Sequence, residues 1–222
     1  MPKFYIVSDI HGFYDELREA LDDAGFDPND ESSWIVSLGD EIDRGPSPEK
    51  VINYLMSLPR AIFVKGNHQS LMEDMCARKY AEKYDWSNGT MGSAIALAPE
   101  AKTAEEVFEI AYKKIKPFFD KTVNYLELQN HILVHSWIPL INKDGLPMYY
   151  IRNRNFEFNP DWRNASDNEW IEASWGNPYL LAEQGLLPDK TLIFGHFHTS
   201  YARNRYNNEQ EFGPDEIGRA HV

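Results

Sequence analysis

The chain carries a single cysteine, Cys76, in 222 residues. That excludes an internal disulfide and a thiolate-rich structural zinc site, and it suits a reducing compartment. Positive charge is also scarce: 22 Lys and Arg stand against 35 Asp and Glu, for a formal net charge of −13. Broad electrostatic binding to nucleic acid needs clustered cations, so it is disfavoured. No apolar run is long enough to span a membrane, and "MPKFYIVSD" enters a strand-like run with no charged leader before it. The expectation is a cytoplasmic protein with neither nucleic acid nor membrane as partner. Internal repeats and low-complexity tracts are missing as well. What is present is 42% hydrophobic and 14% aromatic residues, enough apolar surface for the core of one domain. A phosphorylated substrate remains compatible with the acidic balance, provided its site carries its own cations.

Five short apolar runs punctuate the chain: "FYIV" at 4–7, "WIVSL" at 34–38, "AIFV" at 61–64, "HILV" at 131–134 and "TLIF" at 191–194. They are β-branched and aromatic and too short for buried helices, so each reads as a buried strand. Residues 13–24 place Leu17, Leu21 and Ala24 on one helical face. "SPEKVINYLMSL" opens with Ser47 as N-cap and Pro48 at the first helical position. The opening is therefore β-α-β-α-β, which predicts an α/β layer fold with a largely parallel sheet. Residues 69–84 and 103–119 read as helices, "DWSNGTMGS" at 85–93 as a loop, and 70–122 as a helical insertion. Residues 142–180, aromatic and Asn-rich, read as long surface loops.

Every strand-like run ends in a candidate ligand. Asp9 and His11 follow the first, Asp40 the second, Asn67 and His68 the third, His135 the fourth, and His196 and His198 the fifth. Ligands of open α/β sheets bind at the carboxyl ends of the strands, so the pattern gathers Asp9, His11, Asp40, Asn67, His135, His196 and His198 on one rim. Mixed carboxylate and imidazole donors suit Mn, Fe, Zn or similar ions, and seven of them exceed one tetrahedral site. They fit two ions that share a bridge. Taken singly, each block has an ordinary explanation as a turn, a cap or a core histidine. Five independent turns that all place ligand types after strands do not.

These residues also carry a family resemblance. "DIH", "GDEIDRG", "GNH", a lone His after a strand and "GHFH", spread over residues 4–198, resemble the calcineurin-like metallophosphoesterases. The "DRG" form is similar to the phosphoprotein phosphatase branch and to relatives that cleave diadenosine tetraphosphate. The resemblance implies a layered sandwich with mainly parallel central strands, and two divalent ions, with Mn2+ first and Fe, Zn, Ni or Mg as alternatives. It implies that Asp9 and His11 bind one ion, that Asn67, His135 and His196 bind the other, and that Asp40 bridges them. A bridging hydroxide would attack phosphorus in line, His68 would protonate the leaving oxygen, Asp43 would orient His68, and Arg44 would grip the phosphoryl oxygens. In the wider superfamily the second His of "GHFH" binds the first metal, which makes His198 a further candidate. Arg152 and Arg154 are candidates for a second phosphate contact. Gln69 departs from the branch, which usually has an acid after "GNH", and Ser136-Trp137 stand where small residues are common.

The main expectation is a phosphomonoesterase acting on phosphoserine or phosphothreonine in proteins. The alternative is a hydrolase of diadenosine tetraphosphate or a related nucleotide, with aromatic residues in 137–162 available for stacking. A non-catalytic metal-binding scaffold is a reading of another class, and the loss of a ligand would be its mark. Glu41 reads as solvated, His131 as structural, and Trp34 and Phe63 as core. "IGRAHV" at 217–222 back-translates to ATC GGA AGA GCA CAC GTC, which resembles a common sequencing adapter. The expectation is a single domain over 1–216 followed by a non-native tail, with further C-terminal strands missing and His221 outside any functional reading.

Overall fold

The computed structural model describes residues 2–145 and 156–207. All five apolar runs are strands. β1 (Lys3–Val7), β2 (Ser33–Ser37), β3 (Ala61–Val64) and the short β4 (Thr122–Val123) form one wholly parallel sheet in that order. β5 (Leu126–Glu127) turns back antiparallel onto β6 (His131–Val134). β7 (Ile141–Asn142) and β8 (Phe156–Glu157) make a small antiparallel ribbon. β9 (Thr191–Phe194) then returns to lie parallel to β6, completing a second sheet of order β5-β6-β9.

The period-2 alternation of each strand explains why the two sheets stack. Val36, Val64 and Leu133 point into a cluster shared with Phe4, Ile6, Ile62 and Ile193, which is the layer between the sheets. Their neighbours Ile35 and Phe63 point the other way, into a core built with helices. Ile132 and Val134 of β6 likewise face a third cluster outside the second sheet. Both faces of each sheet are thus covered, as near-continuous apolar strands require. The result is the α/β sandwich expected from the strand pattern. Each fully buried Val, Leu, Ile or Phe contributes roughly 1.5–3 kcal/mol through removal from water.

The helices on the first sheet are α1 (Tyr14–Asp23), α2 (Pro48–Ser57), α3 (Asn67–Arg78), α4 (Lys83–Ser87), α5 (Thr90–Leu97) and α6 (Ala104–Phe119). Leu17 and Leu21 bury as the periodicity predicts, but Ala24 lies past the end of α1 and is exposed. Ser47 precedes α2 as predicted, with Pro48 in its first turn. The helix expected over 69–84 is broken where Lys79 adopts a left-handed φ of +59°. The stretch 85–93, expected as a loop, instead holds the end of α4 and the start of α5, divided at Gly89.

The larger correction concerns 142–180. Among its described residues are α7 (Asp167–Ala173) and the start of α8 (Pro178–Glu183), and Phe156, Trp162, Trp170 and Leu181 are buried together. Tyr125 stacks on Trp170 at 5.2 Å and meets Trp162 edge-on at 5.1 Å. Residues that read as an irregular surface are the outer core of the second sheet, because their aromatic rings supply a face that the short β5, β6 and β9 need covered. α9 (Thr199–Asn207) follows β9. Phe63 is buried, Trp34 is half-buried and His131 is exposed at the head of β6. Arg152, Arg154 and the 217–222 tail lie outside the described residues. Among the described residues, no helix is long and apolar enough to cross a membrane.

The second sheet is clamped at its edge by Glu127. Arg163 donates to both of its oxygens at 2.9 and 2.7 Å, and Lys190 approaches at 2.8 Å. These hydrogen bonds, Arg163 first, hold the carboxyl down at about 2 against its ordinary 4.5. A depressed carboxyl stabilises the fold fully above its unfolded pKa and loses that contribution as pH falls through the folded value. Glu127→Gln is therefore expected to lower Tm by ~1–3 °C at neutral pH. The gap between the two proteins should close as pH falls from 4.5 toward 2. Circular dichroism melts across that range measure it, and a gap independent of pH would refute the assignment.

Candidate active site

Parallel pairing aligns the carboxyl ends of the strands: Val7 is opposite Ser37, Ser37 opposite Phe63, and Val134 opposite Phe194. The residues just beyond them therefore meet at one rim. Seven described non-glycine residues have a left-handed φ, and six belong to this rim: Asp9 (+51°), His11 (+49°), Asp40 (+58°), Asp43 (+74°), Arg44 (+64°) and His196 (+66°). Each such residue costs about 1–2 kcal/mol relative to the right-handed region. Strain concentrated in this way marks a functional constraint, since packing alone has no use for it. Gly39 and Gly66 make the close approach possible. A Cβ on Gly39 would lie 2.6 Å from the Gly66 Cα, and one on Gly66 would overlap the Asp40 carboxylate.

Two groups of donor atoms form around Asp40. Asp9, Asp40, His135 and His196 place ligand atoms within 4.8 Å of one another, and His11, Asp40 and His68 do the same. Asp40 is in both. Its Oδ1 accepts the backbone N–H of His68 at 3.0 Å, in the first turn of α3. Its Oδ2 lies 3.3 Å from His135 Nε2 and 3.9 Å from both His11 Nε2 and His68 Nε2. Asn67 Oδ1 stands 2.7 Å from His135 Nε2, and His196 Nδ1 stands 3.1 Å from it. His11 donates through Nδ1 to the Ile42 carbonyl at 2.9 Å, and His135 through Nδ1 to the Leu38 carbonyl at 2.7 Å. Those bonds turn both Nε2 atoms toward Asp40, as metal-ligating imidazoles are commonly held. Asp9 accepts the His196 N–H at 2.7 Å and the Ser8 hydroxyl.

The charges follow from this crowding. Burial alone would raise the Asp40 pKa, but the His135, His68 and His11 charges outweigh it and hold the group well below the carboxylate range. Burial likewise opposes a charged His135, yet the adjacent Asp40 lifts it to about 9. His196 is pushed down to about 4 by burial and by the His135 charge. The shared carboxylate thus sits where positive charge is called for, a place that a metal cation fits.

Beside this centre lies a second constellation. His68 Nδ1 donates to Asp43 Oδ2 at 2.6 Å, and its Nε2 accepts from Arg44 Nη2 at 3.2 Å. Asp43 and His68 are buried, while Arg44 is exposed. A buried carboxylate that fixes an imidazole, with a guanidinium at the ring's other nitrogen, can both transfer a proton and hold an anion.

Of the residues the sequence singles out, the structure thus brings together Asp9, His11, Asp40, Asn67, His68, His135 and His196, with Asp43 and Arg44 alongside. Asp9 lies in the donor group with Asp40, His135 and His196, and His11 in the group with Asp40 and His68. His198 is exposed beyond β9 and belongs to neither donor group. Glu41 is corrected outright: it is 3% exposed, accepts the Ser37 hydroxyl at 2.5 Å, and burial raises its pKa to about 7. Of the aromatic residues in 137–162, Trp137, Phe156 and Trp162 are buried, Phe158 is exposed, and Tyr149 and Tyr150 lie outside the described residues. The half-buried Trp175 and Phe197 stand against the His196 ring, with centroids at 6.4 and 5.2 Å. Thr90 and Ser93, which bond to Asp43, carried no signal, because nothing local links residues so far apart in sequence.

Comparison with known proteins bears on the family of the chain. The family model described as calcineurin-like phosphoesterase matches residues 2–218. The symmetrical bis(5'-nucleosyl)-tetraphosphatase of Photorhabdus laumondii is 45% identical over 65 residues, 29% of this chain and 23% of that protein. The protein of the same name from Aeromonas salmonicida is 48% identical over 63 residues, 28% of this chain and 22% of its own length. The matched stretch therefore spans less than a quarter of either curated relative. Among solved structures, a protein serine/threonine phosphatase from Saccharomyces cerevisiae superposes with a TM-score of 0.47 at 14% identity, over 79% of this chain and 49% of that one. With the family match covering nearly the whole chain, the protein belongs to the calcineurin-like phosphoesterases.

Proposed function

We propose that this chain is a metal-dependent phosphoesterase whose substrate is a nucleoside polyphosphate such as diadenosine tetraphosphate. The observation that carries the reaction class is Asp40, a buried carboxylate common to two groups of oxygen and nitrogen donors, with the Asp43–His68 pair beside it. The donor set fits two divalent ions, and Mn2+ suits its mixture of carboxylate, amide and imidazole. Asp9, Asn67, His135 and His196 would hold one ion, His11 the other, and Asp40 both. Such ions, when bound, supply positive charge to phosphoryl oxygens and lower the pKa of water.

The chain's own residues do the rest. His68 delivers a proton from Nε2 to the departing oxygen, and Asp43 keeps that ring oriented and steadies its charged form. Arg44 sits 3.2 Å from the same nitrogen, so an oxygen anion placed there meets both donors. The shift from phosphoprotein to nucleotide rests on the relatives, which bear the name bis(5'-nucleosyl)-tetraphosphatase. Trp175 and Phe197, half-buried beside His196, add aromatic surface where a base can lie.

Two experiments test these assignments. Asp40→Asn is expected to weaken Mn2+ binding by about 100-fold or more in calorimetric titration, since even an indirect contact to a metal costs up to that much. Glu41→Gln should leave the stoichiometry unchanged, because the amide oxygen can still accept from Ser37. Equal losses in both variants would remove Asp40 from its role. The second experiment compares kcat/KM on diadenosine tetraphosphate and on a phosphoserine peptide with added Mn2+. The expected preference is for the nucleotide, and His68→Asn should cut turnover by roughly 10²–10⁴-fold with metal content unchanged. Preference for the peptide would overturn the substrate class, and metal-independent turnover would overturn the mechanism.

A further inference from the structure

We propose that Thr90 is a positioning residue for this reaction. Together with Gly89 and Ser93 it forms a bracket on α5 that aims His68 and Arg44. The proposal rests on the hydrolase reading above. Thr90 Oγ1 donates to Asp43 Oδ2 at 2.6 Å, the same oxygen that takes the His68 Nδ1–H at 2.6 Å. Both Thr90 and Asp43 are fully buried. The other carboxylate oxygen, Oδ1, is buried and has no hydrogen-bond partner among the described residues. Rotation of a carboxylate about its last torsion is broad and soft. The position of Asp43 Oδ2, and through it the direction of His68 Nε2, is therefore set by the Thr90 hydroxyl.

The same turn of helix holds the backbone beneath. Ser93 Oγ accepts the Asp43 N–H at 2.8 Å, which supports that residue at φ +74°. Gly89 has φ +86°, and a Cβ there would lie 2.5 Å from the Arg44 N. Only glycine lets α5 lie this close to Arg44, which is itself left-handed at +64°. Three residues within five positions thus act on the two consecutive left-handed residues that carry the proton relay and the anion contact.

The bracket is itself anchored to α3. Arg78, the last residue of α3, donates to the fully buried Asp85 of α4 at 2.6 Å, and the same oxygen accepts the Glu82 N–H at 2.7 Å. α3 begins with Asn67 and His68. The connection therefore closes on itself: from His68 along α3 to Arg78, across to Asp85, through α4 to Gly89 and Thr90, then by Asp43 back to His68. A shift of the α4–α5 pair relative to α3 necessarily moves the His68 hydrogen bond.

Steady-state kinetics with diadenosine tetraphosphate and Mn2+, on the full chain, test this. Thr90→Val, which keeps shape and removes the donor, is expected to lower kcat about 10- to 100-fold, as misplacement of a catalytic group does. KM and bound Mn2+ per chain should stay near the wild-type values, with Tm lower by a few degrees. Thr90→Ser restores the hydroxyl and should recover most of kcat. Gly89→Ala acts through Arg44 and should raise KM instead. Should Thr90→Val fail to fold, Ser93→Ala carries the same expectation at smaller size. Wild-type kcat in Thr90→Val, a Thr90→Ser variant as slow as Thr90→Val, or turnover lost in step with Mn2+ would each overturn the positioning role. An inactive wild-type chain would instead overturn the hydrolase reading beneath it.

Discussion

The site depends on one buried carboxylate, Asp40, and on what its two oxygens face. One accepts the His68 N–H at the start of α3, which ties the end of β2 to the helix that follows β3. The other looks onto the imidazoles of His135, His11 and His68. A carboxylate cannot stay ionised when buried unless positive charge or donors compensate it. Here they do so from both sheets and from α3. The sheets, the strained turns and the glycine contact between Gly39 and Gly66 share one consequence, that this group can be buried and still carry charge.

That requirement explains the architecture around it. Two sheets stacked face to face bring His135 and His196, at the ends of two parallel strands of the second sheet, against Asp9 and Asp40 of the first. A single sheet would place all its strand ends in a row and leave one side of the cluster to water. The apolar layer of Val36, Val64 and Leu133 between the sheets thus fixes the distance across the donor groups as well as the fold. The aromatic cluster of Trp162 and Trp170 holds the second sheet from outside and keeps β6 and β9 in place.

Much of this is legible in the sequence itself. The five apolar runs, Pro48 at the head of α2 and the donors after each strand follow from local patterns: period-2 burial, backbone chemistry and residue type. The rim residues meet as the strand order implies. Glu41 departs from its sequence reading because a charged residue beside a loop is usually solvated; its hydroxyl partner, Ser37, is only four positions away, but the burial of the pair comes from tertiary packing. The segment 85–93 also differs from its sequence reading. Asn, Gly and Ser signal a turn, yet the segment holds the end of α4 and the start of α5, where Gly89, Thr90 and Ser93 meet Asp43 and Arg44.

The sequence by itself determined which residues become strands and which chemistry waits at their ends, because those choices depend on neighbours a few positions away. Tertiary structure alone decided the partners. Asp9 accepts from His196 across 187 positions, His135 from the second sheet meets Leu38 across 97, and Thr90 finds Asp43 across 47. Such contacts leave no periodic trace, since they are set by how separately formed layers pack. Buried polar groups then pair only with what the packing brings within reach.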